Sequence, residues 1–309
     1  MTLLTLILVL LLEQARPLPL RRWVLAPLRR VMAMTGGGGG DAPVWTVRAR
    51  WFVLTGAGTL GSALAYWLLW ELHPALAFGF NVVALYFAMG FRQESRFFTG
   101  IHVALRLGEI DRARTLLGQW RGGQYPDASA SEIARLAIEK ALVSAHRTVF
   151  GVGFWFVLMP GPSGALMYRL ARFLAEEPDA WGRVAGADAG KGFAQRGFDF
   201  IDAAPVRLTA AVFSVMGNFE DAIYCWRSQA VLWPERSSAI LIACGGGALG
   251  VRLGMPVHES GAIVDRPEMG LGDDANVDHM QSTVGLVWRA LLVCLFLLAL
   301  LGAAGWVGG

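Results

Sequence analysis

Residues 51–70 read WFVLTGAGTLGSALAYWLLW, an uncharged apolar run in a chain of 309 residues. A helix rises about 1.5 Å per residue, so a run of this length crosses the hydrocarbon core of a bilayer, which is about 30 Å thick. A second apolar run covers residues 74–91, and the segment Glu71–Pro74 is the only polar break between the two runs. The sequence therefore predicts a membrane hairpin with its turn at Glu71–Pro74.

The composition of the whole chain agrees with a membrane protein. Hydrophobic residues make up 55% of the sequence and charged residues 17%, whereas a soluble domain carries about 25% charged residues. Mean hydropathy is +0.46.

The rest of the sequence agrees with a helical fold. Ala290–Val307 is a third predicted span, and no stretch shows the alternating pattern of a strand. We expect an all-α fold, a polytopic membrane helical bundle with cytoplasmic helical hairpins.

Two apolar segments leave alternatives open. Thr2–Leu12 is too short to span comfortably, so a partly inserted helix is favoured over a full span. Val149–Tyr168 is long enough, but Pro160, Gly161 and Pro162 interrupt it. Non-helical backbone at membrane depth requires shielding by protein or a cavity, so one broken or re-entrant helix over a cavity fits this segment as well as a span does.

Arginines on both sides of the first hairpin predict its orientation. The positive-inside rule places both flanks in the cytoplasm and the Glu71–Pro74 turn outside. With Arg289 as a cytoplasmic anchor, the C-terminus is predicted to be periplasmic. We expect a multi-pass protein of the bacterial inner membrane. The net charge of +3 comes from these scattered arginines, and without a concentrated basic face nucleic acid is not an expected partner.

Two small-residue motifs are predicted to have structural roles. The Gly36–Gly40 run resembles a phosphate loop only superficially, because no Gly-Lys-Ser/Thr follows it; a flexible tether is favoured. Gly58 and Ser62, four residues apart, are predicted to form a small-residue face for helix packing.

The chain is predicted to contain five consecutive segments. They are 1–50, a short apolar helix plus a basic Gly-rich cytoplasmic segment; 51–91, the transmembrane hairpin; 92–147, a cytoplasmic helical region; 148–284, the broken membrane helix and a motif-bearing core; and 285–309, the C-terminal transmembrane helix.

Three polar elements occur in the second half of the chain. The first is DFIDAAPVRL at 199–208, the second is GGGALGVRLG at 245–254, and the third is VDRP at 264–267 followed by Gly270. In this order they resemble the D-D-x-x-N-x-x-P-A-R-L, G-A-L-G-(V/I)-x-L-G-G-P and V-D-x-P-x-x-G elements of the CobD/CbiB family and its AmpE-type relatives. Arg135 and Glu139 match part of another family element, R-A-x-V-E-T-x-A-E-N-x-x-D.

The resemblance implies two opposed functions. Synthase members of the family join adenosylcobyric acid to aminopropanol phosphate in an ATP- and Mg²⁺-dependent amide formation. The A-E-N-x-x-D end of their motif is replaced here, with Val143 at its first acid, Ser144 at its amide and Arg147 at its second acid. These losses favour a protein without synthase chemistry and with an AmpE-like ligand-binding, sensing or regulatory role. An active adenosylcobinamide-phosphate synthase is the alternative, and a small transporter is a weaker one.

The resemblance and the charges together suggest candidate site residues. Asp199, Asp202 and Arg207 are predicted to line one polar pocket, in which both aspartates are candidate metal ligands. The alternative is an ordinary cap and salt bridge where a helix restarts after a break at Pro205. Further ligand-binding candidates are Glu139, Arg252, Asp265 and Arg266. Expected partners are the lipid bilayer and a corrinoid or cell-wall-derived small ligand, with Mg²⁺ and ATP as cofactors only of a synthase; the oligomeric state is left open.

Overall fold

The structure, a computed structural model, describes residues 2–15, 30, 44–176 and 187–307. Helices dominate these ranges, so the predicted all-α class is confirmed. The glycine run at 36–40, predicted to be a tether, lies outside the described residues, as does most of the basic segment around it.

The elements follow one another in chain order. The helices are α1 (Thr2–Ala15), α2 (Val44–Leu72), α3 (Pro74–Ala88), α4 (Phe91–Arg106), α5 (Ile110–Arg121), α6 (Ala130–Ala145), α7 (Gly151–Leu158), α8 (Ser163–Glu176), α9 (Ala187–Met216), α10 (Phe219–Gln229), α11 (Arg236–Leu249) and α12 (Val277–Val307). A π-helical turn, His146–Phe150, joins α6 to α7. The strands are β1 (Val251–Gly254), β2 (Val257–Glu259), β3 (Ala262–Val264), β4 (Glu268–Met269) and β5 (Asp273–Asp274).

The chain divides into two compact units, each built from two separate stretches of sequence. The first comprises Met1–Gly90 and Gly151–Ala204, and the second comprises Phe91–Phe150 and Pro205–Gly309. In the first unit, α2 packs on α3 and α8, while α1 packs on α3. In the second unit, α6 packs against α4, α5, α11, α12 and β1.

The hairpin of the first unit turns where the sequence predicts. α2 ends at Leu72, and His73 caps α3 by accepting a hydrogen bond at Nδ1 from the Ala75 amide, 3.1 Å away. Pro74 occupies the first helical position, where its missing N–H would have had no helical acceptor. The turn is therefore fixed by a cap and a proline within three residues of each other.

Two packing predictions in the first unit are also confirmed. A Cβ on Gly58 would overlap the Leu170 side chain, so glycine is what allows α2 and α8 to approach closely. The predicted interruption lies between Leu158, the end of α7, and Ser163, the start of α8. The Ser163 hydroxyl donates to the Pro160 carbonyl at 2.8 Å, which closes the turn that leads into the new helix.

The predicted break at Pro205 is wrong, because α9 continues through this residue to Met216. A proline inside a helix has no N–H for the carbonyl four residues earlier, which here belongs to Ile201. The indole N–H of Trp155 donates to the Ile201 carbonyl at 3.2 Å. A side chain thus replaces the donor that the proline removes, and the helix does not need to end there.

Helix α6 lies in the segment 92–147, which the sequence predicts to be a cytoplasmic helical region. Ser129 caps it, since its hydroxyl accepts from the Glu132 amide at 3.2 Å. Every residue from Glu132 to Glu139 is buried, however, and so are the four from Leu142 to Ala145. The charged residues Glu132, Arg135 and Glu139 are among those buried inside the protein.

Three described helices are long and apolar enough to cross a membrane: Arg48–Leu72, Ala130–Leu158 and Val277–Gly305. Protein buries only 11% of the apolar stretch in the first and 22% in the third, against 61% in the second. The first and third therefore offer surfaces to lipid and correspond to the predicted spans at 51–70 and 290–307. Ala130–Leu158 was not predicted as one continuous apolar helix.

The remaining apolar helices are shorter than a span. The run predicted at 74–91 forms α3, which has 15 residues. The N-terminal apolar helix, α1, has 14 residues, in keeping with the expectation that it is too short to span comfortably. These helices are apolar, but they are too short to count among the candidate membrane spans.

The strands of the second unit are not predicted by the sequence. β1 pairs antiparallel with β4, placing Leu253 opposite Met269, and parallel with β5. β2 and β3 form an antiparallel hairpin with Val257 opposite Val264. None of the five exceeds four residues, so their sequences are too short to show alternation.

Candidate functional site

Three charged residues lie along one buried face of α6. Glu132, Arg135 and Glu139 are 8%, 8% and 2% exposed. They are spaced three and four residues apart, so their side chains follow one another on the same side of the helix. Because a buried charge is costly unless it is paired, neighbouring elements have to provide partners for all three.

Glu139 is the centre of this cluster. Nη2 of Arg266 donates to both of its carboxylate oxygens at 2.7 Å. The Gly254 amide donates to Oε1 at 2.9 Å, and Nη1 of Arg121 lies 3.8 Å from Oε2. Gly254 has φ 69°, and a Cβ there would overlap the Pro267 carbonyl. Glycine is therefore required for the backbone to present its amide to Glu139.

Arg266 is held on a second side by an aromatic ring. Its guanidinium carbon lies 4.7 Å from the centroid of Trp233, within the range of a cation–π interaction. Nη2 also lies 3.3 Å from the Gly254 carbonyl oxygen. The ring, the carboxylate and the backbone together fix the position of this guanidinium.

The cluster retains guanidinium donors that are not used. Nη2 of Arg135 donates to the Pro256 carbonyl at 2.7 Å. The Nε–H groups of Arg135 and Arg266 are buried, and neither has a hydrogen-bond partner in the part of the chain that the structure describes. A buried donor without a partner costs about 1–3 kcal/mol. Such donors are compatible with a site for a carboxylate or phosphate.

The β2–β3 hairpin adds further polar contacts to the cluster. The His258 amide donates to Oε1 of Glu132 at 2.6 Å, and His258 Nδ1 lies 3.2 Å from Oε2. The Tyr125 hydroxyl donates to Oε1 of Glu259 at 3.2 Å. Burial raises the pKa of Tyr125, so its hydroxyl stays protonated and able to donate. The hairpin is thus anchored both to α6 and to the loop that follows α5.

Ser144, which replaces the amide of the family motif, lies beside a carboxylate from another helix. Its hydroxyl donates to Oε2 of Glu94, on α4, at 2.8 Å. The indole N–H of Trp120 donates to the same oxygen at 2.8 Å. The Glu94 carboxylate therefore lies beside Ser144. In the family motif the residue before this position is an acid, and this chain has Val143 there.

Arg147, at the position of the motif's second acid, has partners as well, and so has its neighbour His146. Arg147 pairs with Glu235 and lies 3.4 Å from the Ser238 hydroxyl. His146 is fully buried, and its Nδ1 lies 2.9 Å from the Thr209 hydroxyl. Glu235 thus brings a second carboxylate beside position 147, where the family motif has its own acid.

Asp199 and Asp202 belong to the first unit, on α9. Asp202 is fully buried, and its Oδ1 accepts from the Tyr168 hydroxyl at 2.7 Å. Asp199 Oδ1 accepts from Nε2 of Gln195 at 3.0 Å. The unbroken helix puts the two aspartates on one face, as their spacing implies. Arg207 belongs to the second unit and is exposed; a polar pocket shared by the three residues stays a prediction.

The remaining candidates occupy separate positions around the strands. Nη2 of Arg252 lies 2.8 Å from Asp274 of β5, and Nη1 lies 3.9 Å from Glu268 of β4. Arg252 therefore ties the three-stranded sheet together. Asp265 is exposed. Of Arg252, Asp265 and Arg266, the residue that joins the Glu139 cluster is Arg266.

Sequence reasoning does not identify Arg121 or Trp233 as site residues. Arg121 ends α5, and Trp233 lies in the connection between α10 and α11. Each reaches the cluster from an element distant in sequence, so no local spacing marks it. Across the described ranges, no group of three or more His, Cys, Asp and Glu side chains is arranged to hold a metal ion.

Comparison with known proteins places the chain in a family. A family described as "CobD/Cbib protein" matches residues 13–287. The Cobalamin biosynthesis protein CobD of Stutzerimonas stutzeri is 32% identical over 246 residues, which cover 79% of this chain and 78% of that protein. The protein of the same name from Chromobacterium violaceum is 32% identical over 254 residues, covering 82% and 80%.

A more distant relative has the second family name. The Cobalamin biosynthesis protein CbiB of Salmonella arizonae is 26% identical over 277 residues, covering 84% of this chain and 82% of that protein. No solved structure matches the chain. The family match includes every element that forms the Glu139 cluster, and it extends over most of the sequence. This chain belongs to the CobD/CbiB family.

Proposed function

We propose that this chain is an adenosylcobinamide-phosphate synthase of cobalamin biosynthesis. It would join a carboxylate of adenosylcobyric acid to the amine of aminopropanol phosphate, in an amide formation driven by ATP. The names of its relatives, Cobalamin biosynthesis protein CobD and CbiB, support this pathway. Those relatives align with the chain over about four-fifths of their length.

The observation that carries the proposal is the convergence of three motif elements on Glu139. α6 contributes Arg135 and Glu139, the glycine-rich element contributes Gly254, and the Val264–Gly270 element contributes Arg266. Glu139 and Arg266 are 127 residues apart in sequence. A cluster built from the family's own motifs is what an intact family site requires.

The charges of this cluster suit the substrates of the proposed reaction. Each substrate and the nucleotide carry carboxylate or phosphate groups, which guanidinium groups bind through paired N–H donors. Arg121, Arg135 and Arg266 supply three guanidinium groups beside the carboxylates of Glu132 and Glu139. The Arg121 side chain is 21% exposed, so it can contact a ligand that arrives from solvent.

An ATP-driven reaction also implies Mg²⁺, which proteins usually hold through one or two carboxylates and the phosphates of the nucleotide. The two most buried candidates do not fit this role as they stand. Glu139 is engaged by Arg266 and the Gly254 amide, and Asp202 accepts from Tyr168. Neither is therefore assigned as a metal ligand.

Ser144 and Arg147 favour a second candidate function, that of an AmpE-like binding or regulatory protein without synthase chemistry. At both positions the family motif has lost a group that could organise a metal or a phosphate. Glu94 stands beside Ser144, however, and provides a carboxylate from another helix, whereas Glu235 is paired with Arg147. The placement of Glu94 favours the synthase over the regulatory function.

We further propose that the protein spans the bacterial inner membrane several times, with its C-terminus in the periplasm. The arginines that flank the first hairpin support this orientation. In this orientation α4 and α5 lie on the cytoplasmic side, where ATP is available.

Genetic complementation tests the proposed function. A bacterial strain that lacks its own CobD/CbiB protein and needs cobalamin for growth is given a cobyric acid precursor and this chain. The chain and its Arg227→Gln variant, altered at an exposed arginine outside the cluster, should restore growth, whereas Glu139→Gln should not. Absence of growth with wild-type chain present in the membrane fraction would favour the regulatory function.

A further inference from the structure

A cleft of about 450 Å³ lies between α4 and α5 in the second unit. Its volume falls in the range of small-molecule sites, about 300–1,000 Å³. None of its lining residues belongs to the Glu139 cluster. The lining residues are Ser95, Arg96, Thr99, Gly100 and Val103 of α4 and Arg112 of α5.

Residues on one face of α4 form the floor of this cleft. Arg96, Thr99, Gly100 and Val103 are separated by three or four residues, so they share one face of the helix. Gly100 has no side chain, and the Leu116 side chain of α5 lies 3.2 Å from where its Cβ would be, so the two helices approach closely there. Arg96 and Thr99 line the free volume of the cleft.

The charge of the cleft is positive. Arg96 is exposed, and within the described ranges its side chain forms no hydrogen bond or ion pair. Arg112 is 61% exposed, and its Nη1 lies 2.7 Å from Glu109. The cleft lining therefore carries two guanidinium groups, of which Arg112 is paired with a carboxylate, and the hydroxyls of Ser95 and Thr99 are nearby. Guanidinium and hydroxyl donors around an open volume suit the oxygens of a phosphate.

An apolar edge lies next to these donors. Val103 is 43% exposed, and Leu107 and Ile110, in the turn between α4 and α5, are 65% and 38% exposed. In sequence, α4 starts three residues after the end of the apolar helix α3. Basic residues that directly follow an apolar membrane helix on its cytoplasmic side attract anionic lipid headgroups.

We propose that this cleft binds a phosphate group, carried either by the headgroup of an anionic phospholipid or by a soluble phosphate ester. Arg96 and Arg112 would contact the phosphate oxygens, with Thr99 as a hydroxyl donor. Val103 and Leu107 would contact the acyl chains if the source is a lipid. The inference does not depend on the synthase activity, because it uses none of the residues around Glu139.

Equilibrium binding to the full-length chain in a neutral detergent tests the proposal. The probes are phosphatidylglycerol and, separately, inorganic phosphate. The variant is Arg96→Gln with Arg112→Gln, both at exposed side chains, so that the fold should be retained. Arg227→Gln is the matched control, because Arg227 is an exposed arginine of the same unit on α10.

Wild-type chain and the control should bind one equivalent of phosphatidylglycerol or of phosphate, and the double variant should bind about tenfold or more weakly. Binding of the lipid that inorganic phosphate does not displace would identify a lipid headgroup as the source. Binding of inorganic phosphate, or displacement by it, would identify a soluble phosphate ester. The proposal is overturned if wild type binds neither probe, or if the double variant binds as wild type does.

Discussion

Arg266 uses one nitrogen, Nη2, to donate to both oxygens of Glu139, 2.7 Å from each. The carboxylate is 2% exposed and the arginine side chain 13%, so the pair is shielded from solvent. It attaches the segment after β3 to the central helix α6. Both the stability of this unit and the shape of its cluster should therefore depend on a single ion pair.

Glu139→Gln should destabilise the protein by about 3–5 kcal/mol, because it leaves the buried charge of Arg266 without its partner. The measurement is thermal unfolding of the purified protein in detergent. Glu109→Gln is the control, because its pair with Arg112 is 43–61% exposed and should contribute about 1 kcal/mol or less. Equal losses for both variants would show that the Glu139 pair is not a structural anchor.

Tyr168→Phe should destabilise the first unit by about 1–3 kcal/mol, since it removes a hydroxyl that donates to the fully buried Asp202. Tyr224→Phe is the matched control, because Tyr224 is 59% exposed. Gly151→Ala should reproduce part of the effect, as its Cβ would lie 2.5 Å from the Tyr168 hydroxyl oxygen. Unchanged melting of Tyr168→Phe would mean that this hydrogen bond is replaced without loss, for example by water.

The sequence predicts the helical class, the first hairpin and its turn, and the interruption at Pro160 to Pro162, because each depends on local composition. It fails where a distant group decides the outcome. Pro205 predicts a break, but Trp155 satisfies the carbonyl of Ile201 and the helix continues. The burial of Glu139 on α6 is likewise not visible in the local sequence, because its partners come from residues 121, 254 and 266.

The same limit applies to the candidate site. Glu139 and Arg266 are candidates from the family motifs, whereas Arg121 and Trp233 are not among the predicted site residues and meet the cluster only in the folded chain. The short strands that bring Gly254 to Glu139 pair residues 14 to 22 positions apart. A search for alternating patterns cannot find strands of this length.

The predicted orientation is tested by cysteine labelling. Leu72 and Ile110 are 73% and 38% exposed, so a cysteine at either position should be accessible to solvent on its own side of the membrane. In a background without native cysteines, Leu72→Cys should react with an impermeant thiol reagent in intact cells freed of their outer membrane. Ile110→Cys should react only after the inner membrane is permeabilised, and the reverse pattern would contradict the proposed orientation.

Acid should destabilise the second unit through His102. Burial, followed by the charge of Arg106, lowers the pKa of His102, and Asp278 opposes this only in part. The neutral ring therefore contributes stability above its unfolded pKa of about 6.5, and this contribution is lost as the pH falls below that value. Between pH 7 and pH 5 the wild-type melting temperature should fall further than that of His102→Gln. Equal falls in the two proteins would contradict this prediction.

The central claim is tested most directly by the reaction itself. Purified wild-type protein is incubated with adenosylcobyric acid, aminopropanol phosphate, ATP and Mg²⁺, and the amide product is quantified by mass spectrometry. We predict steady formation of adenosylcobinamide phosphate, at a rate about tenfold or more lower for Glu139→Gln and unchanged for Arg227→Gln. Folded wild-type protein that yields no amide product would contradict the account.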